Sequence, residues 1–166
     1  MISKVSTQPM PATSFTKKAN LEVYEFLNFD DRQDFKDAYR GFMAPLESKV
    51  IKDESGEVVW DIEKLDYLND TAPDTVNPSL WRNAQLQAIS GLFEVVEGIY
   101  QIRGQSIATT FFFEGKQGVI VCDALGSTES AKAAMELYYK HRPRKPVSAI
   151  IISQSHADHF GGIQAV

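Results

Sequence analysis

The chain has 166 residues, 43% of them hydrophobic and 23% charged, which fits a globular protein with room for one real core. Its formal net charge is −5 and it carries no basic cluster, which excludes the phosphate-neutralising surface that nucleic-acid binding needs. No run approaches the roughly 18 apolar residues of a membrane span, and the single cysteine, Cys122, excludes an internal disulfide.

Residues 1–15, with two prolines and no apolar run of signal-peptide length, read as a flexible tail, so a cytoplasmic protein is expected. From Thr16 the spacing of Ala19, Val23, Phe26 and Leu27 puts them on one helical face. The segment NFDDRQDFKDAYRGFM predicts a short helix ending at Gly41, with Asp30 to Asp37 as a solvated charged face. KVIKDESGEVVW predicts a hairpin, Val50 and Ile51 before the turn Glu54-Ser55-Gly56 and Val58 to Trp60 after it. In TVNPSLWRNAQLQAISG, Asn77 suits a helix N-cap, Pro78 the first helical position and Gly91 the residue past the end. Residues 16–90 thus form a helical extension with a hairpin. Trp60 and Trp81 are expected in a core or an interface.

From residue 91 to 166 the pattern changes. LFEVVEGIYQIRG, TTFFFEGKQGVIVCDA and VSAIIIS are rich in β-branched and aromatic residues with glycine turns between them. STESAKAAMELYYKHRP interrupts them as a helix. Ser127 or Thr128 can cap it, Ala131, Ala134, Met135 and Tyr138 share a face, and Lys140, His141 and Arg142 suit its negative end. The layout is α/β. The run to Ser153 reads as a central strand buried on both faces, and ligands gather at the carboxyl ends of such strands. Cys122, in GVIVCDA, reads as a small buried hydrophobe. Asp123 reads either as a turn residue or as one that orients a ligand.

The polar loop SQSHADHFGG follows. His156, Asp158 and His159 fall within four positions, and imidazole nitrogen and carboxylate oxygen are good zinc ligands. Gly161 and Gly162 let the backbone turn closely behind them. The alternative is a polar loop in which Asp158 caps a helix. No G-x-S-x-G elbow and no phosphate-binding glycine loop occurs, so no catalytic nucleophile is assigned.

The segment resembles the H-x-H-x-D-H loop of the metallo-β-lactamase superfamily. NFDDRQDFKDAYRGF, VIKDESGEVVWDI, APDTVNPSLWRNAQL and GLFEVVEGIYQIRG resemble, in order, the alkyl sulfatases of that superfamily. The resemblance implies an N-terminal extension followed by the first half of an αββα sandwich. It implies hydrolysis of alkyl sulfate esters by a water activated on a pair of zinc ions. It makes His156 a ligand of the first metal and Asp158 and His159 ligands of the second. Two departures stand out. Gln154 occupies the place of the loop's leading histidine, and the chain ends at Val166, before the family's remaining glutamate and histidine ligands. Gln105 and Ser106 also replace a tyrosine-aspartate pair, a change read as a loop substitution without catalytic weight. The expectation is a truncated portion, inactive alone. Its open strands, from Phe111 to Phe113 and from Ala149 to Ile152, would lose partners. The chain would then be marginally stable, oligomeric, or completed by a second chain; association with full-length relatives as a non-catalytic module is the remaining reading.

Overall fold

The structure, a computed structural model, describes residues 10–166. Residues 1–9 of the expected tail lie outside the described residues. The first helix, α1, spans Ser14–Phe26, and the Thr13 side chain accepts from the Thr16 N–H at its start. None of its residues is buried: of the expected face, Ala19 and Phe26 are exposed, Val23 is half-buried, and Leu27 lies past the helix end as its C-cap residue. The short helix α2 is Gln33–Ala38. It ends before Gly41, whose φ of +74° lets the chain enter strand β1, Phe42–Ala44, which the sequence reading had not separated. A Cβ on Gly41 would lie 1.9 Å from the Glu94 carbonyl oxygen, so only glycine allows this approach.

The hairpin forms as expected from β2, Val50–Lys52, and β3, Val58–Asp61. Asp53 organises its turn, accepting from the Ser55 and Glu57 backbone N–H groups at 2.9 Å each. The helix α3 is Pro78–Gln87, with Asn77 capping Ser79 N–H at 2.9 Å and Pro78 at its start. Gly91 does not cap this helix. It opens strand β4, Gly91–Val96, at φ +135°, where a Cβ would meet the Ala44 carbonyl oxygen at 2.5 Å. Glycine signals a left-handed residue, and both a helix end and a strand entry can use one.

The acidic run is not purely a solvated face. Asp34 binds Arg82 through two hydrogen bonds of 2.7 and 2.8 Å, and Arg82 also donates to the Phe29 carbonyl at 3.1 Å. The Arg82 hydrogen bond holds the Asp34 carboxyl below the usual carboxylate range. Trp60 and Trp81 are half-buried, each donating its indole N–H to a backbone carbonyl, Gly104 and Asp70 respectively.

Strands β5, Ile99–Arg103, β6, Thr110–Glu114, and β7, Val119–Cys122, extend β4 as an antiparallel meander. Helix α4, Thr128–His141, capped by Ser127, then crosses over to β8, Val147–Ile151, which pairs parallel with β7. The six strands run in the order β1-β4-β5-β6-β7-β8. Alternation along each strand sends Leu92, Tyr100, Ile102, Phe112 and Val121 to one face, where α4 brings Ala134, Met135, Leu137 and Tyr138. Phe112 and Tyr138 stack 4.1 Å apart at 5°. The Tyr138 hydroxyl donates to Glu114 at 2.7 Å, and Arg142 grips the same carboxylate with two 2.8 Å hydrogen bonds. Phe112 therefore keeps its partner, contrary to the expectation for that run.

The other face is open over most of its width. Phe42 and Arg103 cover Phe93 at the β1 side. Beyond them Ile99, Phe111, Phe113, Ile120 and Cys122 are half-covered, and Ile151 is 51% exposed. Strand β8 is thus an edge strand with an uncovered side, not a central strand buried on both faces. Cys122 is correspondingly half-buried rather than buried. Burial, and the neighbouring Asp123 carboxylate, push its thiol up, which leaves it unreactive. No helix among the described residues is long and apolar enough to cross a membrane.

Candidate metal-loop site

The parallel pair β7 and β8 releases two loops at the same edge of the sheet, where an α/β layout collects functional groups. The first, residues 123–127, is wound tightly. Asp123 and Leu125 both take left-handed backbone, at φ 62° and 60°, a conformation that side-chain-bearing residues adopt only when their surroundings hold them there. The second, residues 152–162, carries the short helix α5, Ala157–Phe160. The loops interlock through backbone hydrogen bonds from Ala124 N–H to the His159 carbonyl, 2.7 Å, and from Gly162 N–H to the Leu125 carbonyl, 3.1 Å. The two glycines make this contact possible. A Cβ on Gly161 would sit 2.3 Å from the Gly126 carbonyl oxygen, and one on Gly162 would sit 2.3 Å from that of Ala124.

Asp123 is the centre of the site, with only 5% of its surface exposed. Its Oδ1 accepts the Ser153 backbone N–H at 2.7 Å, and its Oδ2 accepts the Ser153 hydroxyl at 2.6 Å and His159 Nδ1 at 2.8 Å. Burial pushes this carboxyl up, but the Ser153 hydrogen bonds and His159 outweigh it, so its pKa lies below the ordinary 3.8. Asp123 is both of the things its position allowed: a left-handed turn residue and the group that orients a histidine.

The three loop residues do not converge as a set. His159 Nε2 lies 3.4 Å from Asp158 Oδ2, so those two are neighbours. His156 is exposed and precedes α5 as its N-cap residue, with no side-chain capping bond. Asp158 lies in the first turn of α5 and is not its cap. Gln154, at the place of a further ligand, contacts His159 Nε2 through its side-chain amide nitrogen. Among the described residues no group of three or more histidine, cysteine, aspartate or glutamate side chains is placed to hold a metal ion. A catalytic zinc takes about three protein ligands and a water, whereas this loop offers two adjacent donors, one already hydrogen-bonded at the nitrogen a metal would need. The residues present do not by themselves fit a catalytic metal.

Ser106 adds a tie that sequence reasoning had set aside. Its hydroxyl oxygen accepts the Gly126 N–H at 3.3 Å, joining the β5–β6 loop to the first site loop. Beside it, Gln105 is 2% exposed and its carbonyl oxygen has no hydrogen-bond partner. The link between Asp123 and His159, 36 residues apart, had no local signal beyond an aspartate ending a strand.

The Metallo-beta-lactamase superfamily model matches residues 103–166, the stretch from the end of β5 through both loops. A linear primary-alkylsulfatase from Pseudomonas sp. is 51% identical over 158 residues, covering 94% of this chain and 23% of that protein. An (R)-specific secondary-alkylsulfatase, also from Pseudomonas sp., is 46% identical over 167 residues, 100% of this chain and 25% of its own length. The solved stereoselective inverting sec-alkylsulfatase Pisa1 from Pseudomonas sp. superposes with a TM-score of 0.89 at 47% identity, over 98% of this chain and 26% of that one. The chain thus spans about a quarter of the length of the curated relatives it matches. The likeness runs through the helical extension as well as the loop region. The chain belongs to the alkyl sulfatase family of the metallo-β-lactamase superfamily and corresponds to the N-terminal part of its members.

Proposed function

We propose that this chain forms the N-terminal segment of an alkyl sulfatase-type hydrolase acting on alkyl sulfate esters, and that it does not catalyse the reaction alone. The observation that carries this reading is the combination of a 0.89 superposition on a sec-alkylsulfatase with a loop that brings only Asp158 and His159 together. Zinc belongs to the same proposal, because imidazole and carboxylate are donors that zinc accepts. The role of this chain is architectural: β7 and β8 set the two loops, and Asp123 and Ser153 fix the ring of His159. The test is to purify the chain, then measure bound zinc and sulfate release from dodecyl sulfate. Neither is expected. About two zinc ions per chain, as in two-metal hydrolase sites, with turnover by the chain alone would overturn the reading.

The open sheet face favours a second reading, completion by another chain. Phe111, Phe113, Ile120 and Ile151 form an apolar surface beside the unpaired edge of β8, the kind of surface a second sheet covers. Mixing this chain with a segment that continues the domain should yield a stable complex and alkyl sulfate hydrolysis. Failure of the two to co-elute would remove this reading.

A further inference from the structure

In the loop after β8 the ring of His159 is contacted at both nitrogens, by Asp123 at Nδ1 and by Gln154 at Nε2. A carboxylate only accepts hydrogen bonds, so the 2.8 Å contact of His159 Nδ1 with Asp123 Oδ2 places a ring proton on Nδ1, and the Gln154 amide nitrogen, a donor only, set against Nε2 places the lone pair there. Asp123 is further held by the Ser153 backbone N–H and hydroxyl at 2.7 and 2.6 Å, so the ring orientation is fixed from behind. This is the tautomer that a histidine binding metal through Nε2 requires. The lone pair so presented can be met only by a donor or a cation. Gln154 meets it, its side-chain amide nitrogen donating to Nε2. Nearby, Asp158 Oδ2 lies 3.4 Å from the same nitrogen. Two acceptors that close repel each other, and the amide N–H supplies the positive group that this nitrogen lacks.

We propose that Gln154 locks the His159 imidazole by hydrogen bonding at Nε2, so that the loop from Ser153 to Gly162 holds its shape without a metal ion and resists metal binding at His159. The amide donor does structurally what a divalent cation would do at that nitrogen, and it is neutral, covalently tethered and always present. A cation entering beside Asp158 must first displace it. Turning the amide round would not reconcile the two: it would bring the Gln154 carbonyl oxygen against the imidazole lone pair, and a neutral amide oxygen is a poor zinc ligand. Gln154 is therefore a positioning residue for the ring, not a metal ligand.

The test uses the full chain labelled with nitrogen-15 and follows the His159 ring nitrogens while zinc chloride is added. In the wild-type chain the ring should show the Nδ1–H tautomer, an Nε2 resonance that equimolar zinc does not move, and a melting temperature unaffected by a chelator. Gln154→Ala removes the donor and should let zinc shift the Nε2 resonance at about fivefold lower concentration, the worth of one hydrogen bond. Gln154→Glu keeps the length, removes the donor and adds charge, so it should bind more tightly than Gln154→Ala; it also serves if the alanine variant fails to fold. Wild-type chain that binds zinc at Nε2 as readily as both variants would overturn the proposal, as would a loop whose resonances broaden on chelation. None of these readouts involves sulfate release, so they stand or fall separately from the sulfatase reading.

Discussion

Replacing Asp123 by alanine is the most direct probe of the site's construction. Asp123 accepts three hydrogen bonds while 5% exposed. Hydrogen bonds to a charged group contribute about 1.5–3 kcal/mol each. Ser153 is exposed and His159 retains some access to water, so the low end applies, and removing a buried carboxylate also relieves its desolvation. Alanine at φ 62° adds about 1 kcal/mol, since it lacks the local hydrogen bonding that helps aspartate tolerate left-handed backbone. The net cost to the docked loops is about 4 kcal/mol. Asparagine keeps the size, tolerates the backbone and retains one acceptor for the Ser153 N–H, so Asp123→Asn should cost about half as much. Native-state hydrogen exchange reads this at the Ala124 amide, which donates to the His159 carbonyl and loses no direct partner in either variant. A 4 kcal/mol loss accelerates its exchange by about a thousandfold. An acceleration under about tenfold in Asp123→Ala, against that thousandfold expectation, would refute the view that this carboxylate holds the two loops together.

Three further outcomes are expected. Gly162→Ala places a Cβ 2.3 and 2.4 Å from the Ala124 and Ser127 carbonyl oxygens, which are backbone atoms that cannot swing away, so it should cost about 3 kcal/mol in urea unfolding; an unchanged midpoint would contradict the close packing. Glu114→Gln breaks the paired hydrogen bonds from Arg142 and should cost about 2 kcal/mol. The Arg142 hydrogen bond holds the Glu114 carboxyl below its ordinary 4.5, so this stability is present above that pH and is lost as pH falls through the folded value; thermal melts should show the wild-type chain losing its advantage over the variant only below that range. Ile151→Lys puts a charge on the open sheet face at a residue already 51% exposed, so it should lower self-association without lowering stability; sedimentation velocity showing the same size distribution as wild type would argue against that face as a contact surface.

The features legible in the sequence were those written into neighbouring residues. The Asn77-Pro78 cap and the turn at Glu54-Ser55-Gly56 are local hydrogen-bond solutions, and each forms where the letters placed it, the turn with Asp53 as its acceptor. Helix α4 announced its buried stripe, and of its two candidate caps, Ser127 and Thr128, Ser127 takes the place. Gly91 misled because its left-handed backbone serves close approach to Ala44 rather than a helix end. Strand β8 misled in another way: its apolar letters describe a strand suited to burial, but not which neighbour does the burying. The site was half legible. His156, Asp158 and His159 could be picked out by type and spacing, yet of the three only Asp158 and His159 are in contact, and His156 is exposed just before α5. The contacts that define the site, Asp123 with His159 and Gln154 with His159, depend on two strand ends meeting across a crossover helix.

That crossover also sets an order of events. Strands β4 to β7 are joined by short turns and pair with their immediate neighbours in sequence, so their contacts close small loops and form early. Strand β8 can dock only after α4 has been laid across the sheet, and it brings the larger loop-closure cost with it. By the same reasoning the Asp123–His159 cluster should assemble after the β4–β7 meander. During synthesis the meander and α4 can be in place while the metal loop is still emerging, and the edge beside β7 waits, unpaired, for the strand that carries it.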